Sequence, residues 1–431
     1  MNQTTETLAS QPELFELPAS DVVCKEILES LRPLRDDKRY RECFYGEMGV
    51  VRTELAEGQA IAGQRVLYKD ERQQLSGSYK SRGASHAILQ SPAERYVTNS
   101  TGNHGRSVGI AAARVGSVAE VEGTKSMSPV KVAGIASTGA VLRQHADFRQ
   151  AELAAETAGE EDGAVWIPPF GSADVLAGQC TLGDELVEDL ITRGLANETV
   201  VIPVSVAGGG HITGVALPVW EAKQAGRLGP NVQVVAVQPK GGDTMNRALA
   251  KVNAGLTPAN LYAYDTQNKY CDALAIGEES LNPATMAIVN DSELVAGFYT
   301  LEEAEIGRSM AELDAELGGT VEPASALGHA FAKKYAETLS AAGESAVFLL
   351  PISGGNRSEA TSHHYQAAVA RDDFRHQSHN YAMRSMSPFE EIAGFDRSEF
   401  DDKAIRDFAC AALSGFTARY RSPLVTPHGR S

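Results

Sequence analysis

Residues 76–84 of the chain read SGSYKSRGA and lie between a β-rich run, Val66–Lys69, and a segment of helical character. This arrangement places Lys80 near the N-terminus of a helix. The positive end of a helix dipole disfavours an ammonium ion and makes the amine easier to deprotonate, as a Schiff-base nucleophile requires. Since most lysines are solvated surface charges, the stretch predicts a catalytic lysine only in combination with further motifs.

From about Arg65 onward, short β-rich runs alternate with longer segments of helical period. The β-rich runs are Val66–Lys69, Tyr96–Thr98, Val200–Val206, Val232–Val237 and Ala346–Pro351. The helical segments are Asn103–Arg114, Ala173–Thr192 and His211–Gln224. Such alternation predicts an α/β fold of mostly parallel twisted sheets flanked by helices, with ligands at the carboxyl ends of the strands.

Three more glycine-containing turns lie at the ends of predicted strands. Residues 98–105, TNSTGNHG, precede a helix whose free N–H groups can hold a carboxylate, although an ordinary capped helix explains them equally well. Residues 207–211, AGGGH, indicate a phosphate cradle rather than a loose loop, because glycines cost conformational entropy without packing in return. Residues 351–356, PISGGN, end the last strong strand, where a serine hydroxyl can reach a cofactor ring.

Composition and charge argue against several classes of protein. The chain has 431 residues and a formal charge of -17, which would repel a phosphate backbone. Its five widely spaced cysteines form no CxxC pair and indicate neither a disulfide framework nor a zinc site. No run approaches the ~18 apolar residues of a membrane span, and residues 1–18 lack a signal-peptide core. We expect a cytoplasmic protein with no nucleic-acid or membrane partner.

These four motifs, in this order, resemble those of the fold-type II pyridoxal 5'-phosphate (PLP) enzymes of the tryptophan synthase beta-like superfamily, and most closely the threonine/serine dehydratase and serine racemase family. The resemblance covers about Arg65 to Asn356. In that family the lysine of a Ser-Phe-Lys-x-Arg-Gly-Ala motif holds PLP as a Schiff base. Here that lysine is Lys80, with Tyr79 in place of the usual phenylalanine. The resemblance therefore implies PLP as the cofactor.

The resemblance also implies roles for individual residues. Lys80 would anchor the cofactor and act as the base at the substrate Cα, and Thr101 stands where racemases of the branch carry a serine proton donor. The implied residues for binding an amino-acid substrate are Ser100, Thr101, Gly102 and His104. The implied cofactor-binding residues are Tyr79, Lys80, Asn103 at the ring hydroxyl, Ala207, Gly208, Gly209, Gly210, His211, and Ser353 at the pyridine nitrogen.

A two-domain architecture follows from the same resemblance. It implies a large PLP-binding domain of residues 45–94 and 172–357, and a small mobile domain of residues 95–171 that closes over the substrate. An N-terminal extension, residues 1–44, and a C-terminal extension, residues 358–431, flank them. The stretch Arg371–Arg384 is interpreted as solvated surface. A homodimer is the expected assembly.

The expected reaction removes a β-hydroxyl and ammonia from an L-amino acid such as threonine, serine or a β-hydroxy analogue. A neutral serine at the pyridine nitrogen, unlike a carboxylate, does not keep that nitrogen protonated, and this favours prompt β-elimination. The alternatives are a β-replacement synthase, a racemase or epimerase, and a non-catalytic binding protein. Ser325 replaces a family glycine near the ring. Because Gln238 and Thr244 stand where metal-dependent members carry carboxylates, no metal is expected.

Overall fold

The computed structural model describes residues 17–255, 270–277 and 280–373, and two sheets organise this part of the chain. The strands of the larger sheet are β1 (Leu55–Glu57), β2 (Arg65–Asp70), β7 (Val200–Ser205), β8 (Val232–Pro239), β9 (Phe298–Leu301) and β10 (Val347–Ile352). Their spatial order is β1-β2-β10-β7-β8-β9. The first pair is antiparallel and the other neighbouring pairs are parallel.

The smaller sheet has four parallel strands from the middle of the chain. They are β3 (Arg95–Asn99), β4 (Val118–Thr124), β5 (Val141–His145) and β6 (Ala164–Trp166). Their order is β5-β4-β3-β6. All four strands fall within residues 95–171, although the exact domain boundaries remain a prediction.

Helices connect the strands and cover the sheets. They are α1 (Ser20–Asp36), α2 (Lys38–Glu42), α3 (Lys80–Gln90), α4 (Asn103–Arg114), α5 (Pro129–Ala136), α6 (Phe148–Gly159), α7 (Ala173–Thr192), α8 (Gly210–Gln224), α9 (Thr244–Asn253), α10 (Pro283–Asn290), α11 (Glu303–Leu317), α12 (Pro323–Ala341) and a last helix over residues 359–373. A π-helical turn covers Cys43–Glu47, and a 3₁₀ turn covers Glu71–Gln73.

The predicted α/β class with mostly parallel sheets is confirmed. Every residue of β7 and of β10 is buried, which is expected of parallel strands that are covered on both faces. The five strands and three helices predicted from the alternation are all present, and their ends differ from the prediction by at most two residues. On α7 an apolar stripe is buried, and it includes Val175, Leu182, Leu186 and Leu190.

Both predicted extensions contact the body where they are described. Helix α1 buries Ile27 and Leu31 in the same apolar core as α7, and Arg35 pairs with Asp184 of α7 at 2.6 Å. The helix of residues 359–373 buries Tyr365 against α11. Residues 1–16 and 374–431 of these extensions lie outside the described residues, as does most of the stretch Arg371–Arg384.

Candidate active site

The segments that follow strands β2, β3, β7 and β10 line one cavity, with about 760 Å³ of space that is partly open to solvent. Parallel strands bring their carboxyl ends to one edge, where helix N-termini and loops converge. The cavity is lined by every residue to which a site role was assigned from the sequence: Tyr79, Lys80, Ser100, Thr101, Gly102, Asn103, His104, Ala207, Gly208, Gly209, Gly210, His211 and Ser353. Their individual roles remain predictions.

Lys80 is the first residue of α3, as the sequence predicts. The loop before it is held on β10 because the Tyr79 N–H donates to the Ser353 carbonyl at 3.0 Å. The Lys80 ammonium donates to the Pro169 carbonyl at 2.7 Å, and burial lowers the pKa of Lys80 to about 8. The Tyr79 ring stacks on the His211 ring with centroids 4.3 Å apart. Lys80 is therefore a desolvated amine that readily becomes neutral.

Arg82 orients the helix that carries Lys80. Its guanidinium is fully buried, and it donates to the Glu71 carboxylate at 2.7 Å and to the Glu185 carboxylate at 2.6 Å. The three groups connect α3 to the turn after β2 and to α7. Removing one partner would leave a buried charge unpaired, so the network resists displacement of the first turn of α3. The sequence motif contains Arg82 but does not reveal its two partners.

The loop that joins β3 to α4 is organised around Ser100. The Ser100 hydroxyl oxygen accepts hydrogen bonds from the Gly102 N–H at 3.1 Å and from the Gly105 N–H at 2.9 Å. The Gly102 amide is thus already bonded within the loop, whereas the first N–H groups of α4 have no intrahelical acceptor. His104 faces the Ile167 carbonyl at 3.1 Å, and burial together with the Lys80 charge lowers the pKa of His104 to about 3.

Asn103 is held by partners that the sequence does not reveal. Its amide nitrogen donates to both carboxylate oxygens of Glu322, at 2.8 Å and 3.0 Å, and its amide oxygen accepts from Asn356 at 2.8 Å. Glu322 lies in the cavity wall, and burial raises the pKa of its carboxyl group. The pair links the small sheet, through α4, to the start of α12.

A second lysine, Lys131 of α5, lines the cavity, and no sequence pattern predicts it. Its side chain is 3% exposed, and its ammonium lies 2.8 Å from the Asp272 carboxylate. Burial alone would lower the pKa of Lys131, but Asp272 and Glu322 hold it above its ordinary value. The Lys131 stem packs so closely on Gly102 that a Cβ there would lie 2.5 Å from the Lys131 Cδ.

The loop before α8 forms a cradle that excludes side chains. A Cβ on Gly208 would lie 2.5 Å from the Phe170 ring, and one on Gly209 would lie 2.6 Å from the Thr285 Cβ. Gly209 also has a φ of +90°, which favours glycine. No side chain of the described residues caps α8, which leaves its first N–H groups available to an anion. The buried Nε2 of His211 has no hydrogen-bond partner among the described residues.

Residues 47–351 match the family described as pyridoxal-phosphate dependent enzyme. The chain belongs to this family. It is 33% identical over 274 residues to the serine racemase of Arabidopsis thaliana, across 62% of this chain and 76% of that protein. It is 32% identical over 277 residues to a putative threonine dehydratase of Sinorhizobium fredii, across 60% of this chain and 78% of that protein.

A solved relative agrees with this assignment. The crystal structure of a threonine deaminase from T.th. superimposes with a TM-score of 0.61 at 26% identity, over 78% of this chain and 98% of the deaminase. Both the resemblance to fold-type II PLP enzymes and the PLP cofactor are thereby confirmed. The chain is a PLP-dependent enzyme of the threonine deaminase and serine racemase family.

The residues around the cavity fit PLP. Lys80 offers an amine of lowered pKa for the aldehyde, and the open N–H groups of α8 beside Gly209 fit a phosphate. A Cβ at either central glycine of the loop would collide with its neighbours, so the close approach of an anion to the backbone is built into the packing. The neutral hydroxyl of Ser353 is the group that would face the pyridine nitrogen.

Gln238 and Thr244, which stand where metal-dependent members of the family carry carboxylates, both make hydrogen bonds within the protein. Gln238 donates to the Val206 carbonyl at 3.0 Å, and Thr244 donates to the Ile276 carbonyl at 3.0 Å. Within residues 17–255, 270–277 and 280–373 there is no cluster of three or more His, Cys, Asp or Glu side chains suited to a metal.

Over the same residues, no helix is both long and apolar enough to cross a bilayer. The absence of a metal, the homodimer and the cytoplasmic location remain predictions.

Proposed function

We propose that the enzyme removes a β-hydroxyl group and ammonia from L-threonine, L-serine or a β-hydroxy analogue and releases a 2-oxo acid. The observation that carries the proposal is the neutral hydroxyl of Ser353 in the cavity wall, at the position where the family contacts the pyridine nitrogen. With PLP bound, the Ser353 hydroxyl would stabilise positive charge on this nitrogen less than a carboxylate would, and this would favour loss of the β-hydroxyl group of the substrate.

Lys80 is the proposed anchor and base. Bound PLP supplies an aldehyde that condenses with amines and a ring that accepts electron density. Because its pKa is lowered to about 8, a larger fraction of the Lys80 Nζ is neutral near neutral pH than for an ordinary lysine, and this neutral amine is the group proposed to accept the Cα proton of the substrate. The ion pairs of Arg82 keep the start of α3 in place while this proton is transferred.

The loop around Ser100 is the proposed site for the substrate carboxylate. Its contact with the substrate would come from the first N–H groups of α4, because the Gly102 amide already bonds to the Ser100 hydroxyl. Phe170, Leu274 and Ile276 give the cavity apolar walls, which exclude water from reactive groups. The side chain of Lys131 packs against this loop at Gly102.

Racemisation is a second candidate function, and one residue favours it. Thr101 lines the cavity, on the loop where racemases of this branch carry a serine that reprotonates Cα from the opposite face. The similarity to serine racemase supports the same candidate. A threonine in this position would allow some inversion beside elimination.

Product analysis of the PLP-loaded enzyme tests both candidates. The enzyme is incubated with L-serine, L-threonine and their β-substituted analogues, and keto acid, ammonia and amino-acid enantiomers are measured. We expect keto acid and ammonia as the main products, with Thr101→Ala as a matched variant that keeps elimination and loses inversion. Inversion without keto acid would assign the enzyme as a racemase, and a new amino acid would assign a β-replacement synthase.

A further inference from the structure

Ser325 lies directly behind Ser353 and is not part of the cavity wall. It is in the first turn of α12 and is 1% exposed, and its Oγ lies 3.0 Å from the Ser353 Oγ. Two hydrogen bonds to Gly354 hold the Ser325 side chain in place. Its hydroxyl donates to the Gly354 carbonyl at 2.7 Å and accepts from the Gly354 N–H at 2.9 Å.

The number of protons decides the direction of these bonds. A serine hydroxyl has one proton to donate and two positions that accept. While the Ser325 proton is on the Gly354 carbonyl, the Ser325 oxygen can only accept from Ser353, so the Ser353 proton points towards Ser325. The free lone pair of Ser353 then accepts a hydrogen bond from the cavity side.

The hydrogen bond between Ser325 and Ser353 can also run in the opposite direction, with Ser325 as the donor, at little cost in free energy. The Glu322 N–H donates to the same Gly354 carbonyl at 3.0 Å, so this oxygen keeps a partner if the Ser325 hydroxyl rotates away. The Ser325 proton can then lie on the Ser353 oxygen, which lets Ser353 donate into the cavity. No buried polar group is left unpaired in either arrangement, and this avoids the usual cost of reversing a buried hydrogen bond.

We propose that Ser325 is a positioning residue that lets Ser353 either donate to an unprotonated ring nitrogen of PLP or accept from a protonated one. The inference rests on the proposed contact of Ser353 with that nitrogen. Without the Ser325 hydroxyl, Ser353 loses the acceptor for its own proton whenever the nitrogen is protonated. Compared with a site that lacks this hydroxyl, Ser325 would thus raise the pKa of the ring nitrogen, though less than a carboxylate would, and this would allow more reprotonation at Cα for each elimination.

The test compares Ser325→Ala with the wild-type enzyme, each loaded with PLP labelled with ¹⁵N in the ring. The ¹⁵N chemical shift, followed against pH, reports protonation of the nitrogen without turnover. We expect the variant to lower the pKa of the ring nitrogen by about one unit, a tenfold change, because Ser353 loses the hydrogen bond to Ser325 that accepts its proton while it accepts from the protonated nitrogen. Ser309→Ala, which removes a buried hydroxyl from the neighbouring helix α11, serves as the control and should leave the titration unchanged.

Equal titration curves for the wild type and Ser325→Ala would overturn the inference while leaving the proposed function intact. Should the variant fail to fold, the wild type still decides: a ¹⁵N resonance fixed at the unprotonated position wherever the protein is folded would also overturn it. A parallel measurement on the folded variant is the ratio of inverted substrate to keto acid, which we expect to fall. Failure of the wild type to bind PLP or to eliminate would instead count against the proposed function.

Discussion

Two lysines line the active-site cavity, the half-buried Lys80 and the buried Lys131, and their pKa values are shifted in opposite directions. Lys80, on the side of the larger sheet, contacts a backbone carbonyl at Pro169, and burial lowers its pKa to about 8. Lys131, on the side of the smaller sheet, has the Asp272 carboxylate at 2.8 Å, and its pKa is raised despite burial. Desolvation lowers the pKa of both amines, and at Lys131 the neighbouring carboxylates reverse the direction, so the nearby charges distinguish the potential nucleophile from the retained cation.

The largest effect is expected from removing Lys80, the amine of lowered pKa. Lys80→Ala should abolish the visible absorbance band of the PLP-loaded protein and lower turnover by at least about 10³-fold, because both the covalent anchor and the base are lost. Absorption spectra and single-turnover rates check this. Lys125→Ala, at an exposed lysine of the same chain, is the control and should change neither quantity.

Chemical trapping identifies the amine directly. Borohydride reduction of the PLP-loaded wild type, followed by peptide mapping, should label Lys80. A label on Lys131 or another lysine, or turnover retained in Lys80→Ala, would contradict the assignment of Lys80 as the amine that binds PLP.

A smaller effect, on the free energy of unfolding, is expected from disrupting the ion pair of Lys131 with Asp272. Asp272→Asn leaves Lys131 without its closest carboxylate and should lower the free energy of unfolding by about 2 kcal/mol, the loss of a hydrogen bond between charged groups. Urea denaturation near neutral pH measures it. Glu312→Gln, which removes an exposed ion pair with Lys333, should cost less than about 0.5 kcal/mol.

The sign of the pH dependence follows from the raised pKa of Lys131. The stabilisation is complete below the unfolded-state pKa of about 10.4, and it is lost as the pH rises through the higher pKa of the folded state. A loss of this stabilisation between pH 7 and pH 9 would contradict a charged Lys131.

The smallest effect is a pH dependence of cofactor capture. Only the neutral form of Lys80 attacks an aldehyde, so with a pKa of about 8 the rate at which the cofactor-free protein regains its visible band should rise about tenfold between pH 7 and pH 9. Stopped-flow absorbance measures the rate, and free lysine supplies the pH dependence of the PLP reaction itself. A midpoint near pH 10.5 would show that Lys80 is an ordinary solvated amine.

Much of the site could be predicted from the sequence because its backbone features are local. A glycine-rich turn between a strand and a helix is specified by neighbouring residues, and the loops at Lys80, Ser100 and Gly209 all lie where the motifs predicted. The partners of these loops could not be predicted in the same way. Glu322 is 219 positions from Asn103, and no periodicity or spacing connects a carboxylate to an amide over that distance.

The sequence by itself determined the alternation of strands and helices, the class of fold and the position of a lysine at a helix start. Only the tertiary structure decided that Lys80 has a carbonyl partner while Lys131 has a carboxylate, and that a second hydroxyl, at Ser325, lies behind Ser353. The physical reason is that turns and helices depend on short-range steric and hydrogen-bonding preferences. A pKa or the direction of a buried hydrogen bond depends on groups that packing brings together from distant parts of the chain.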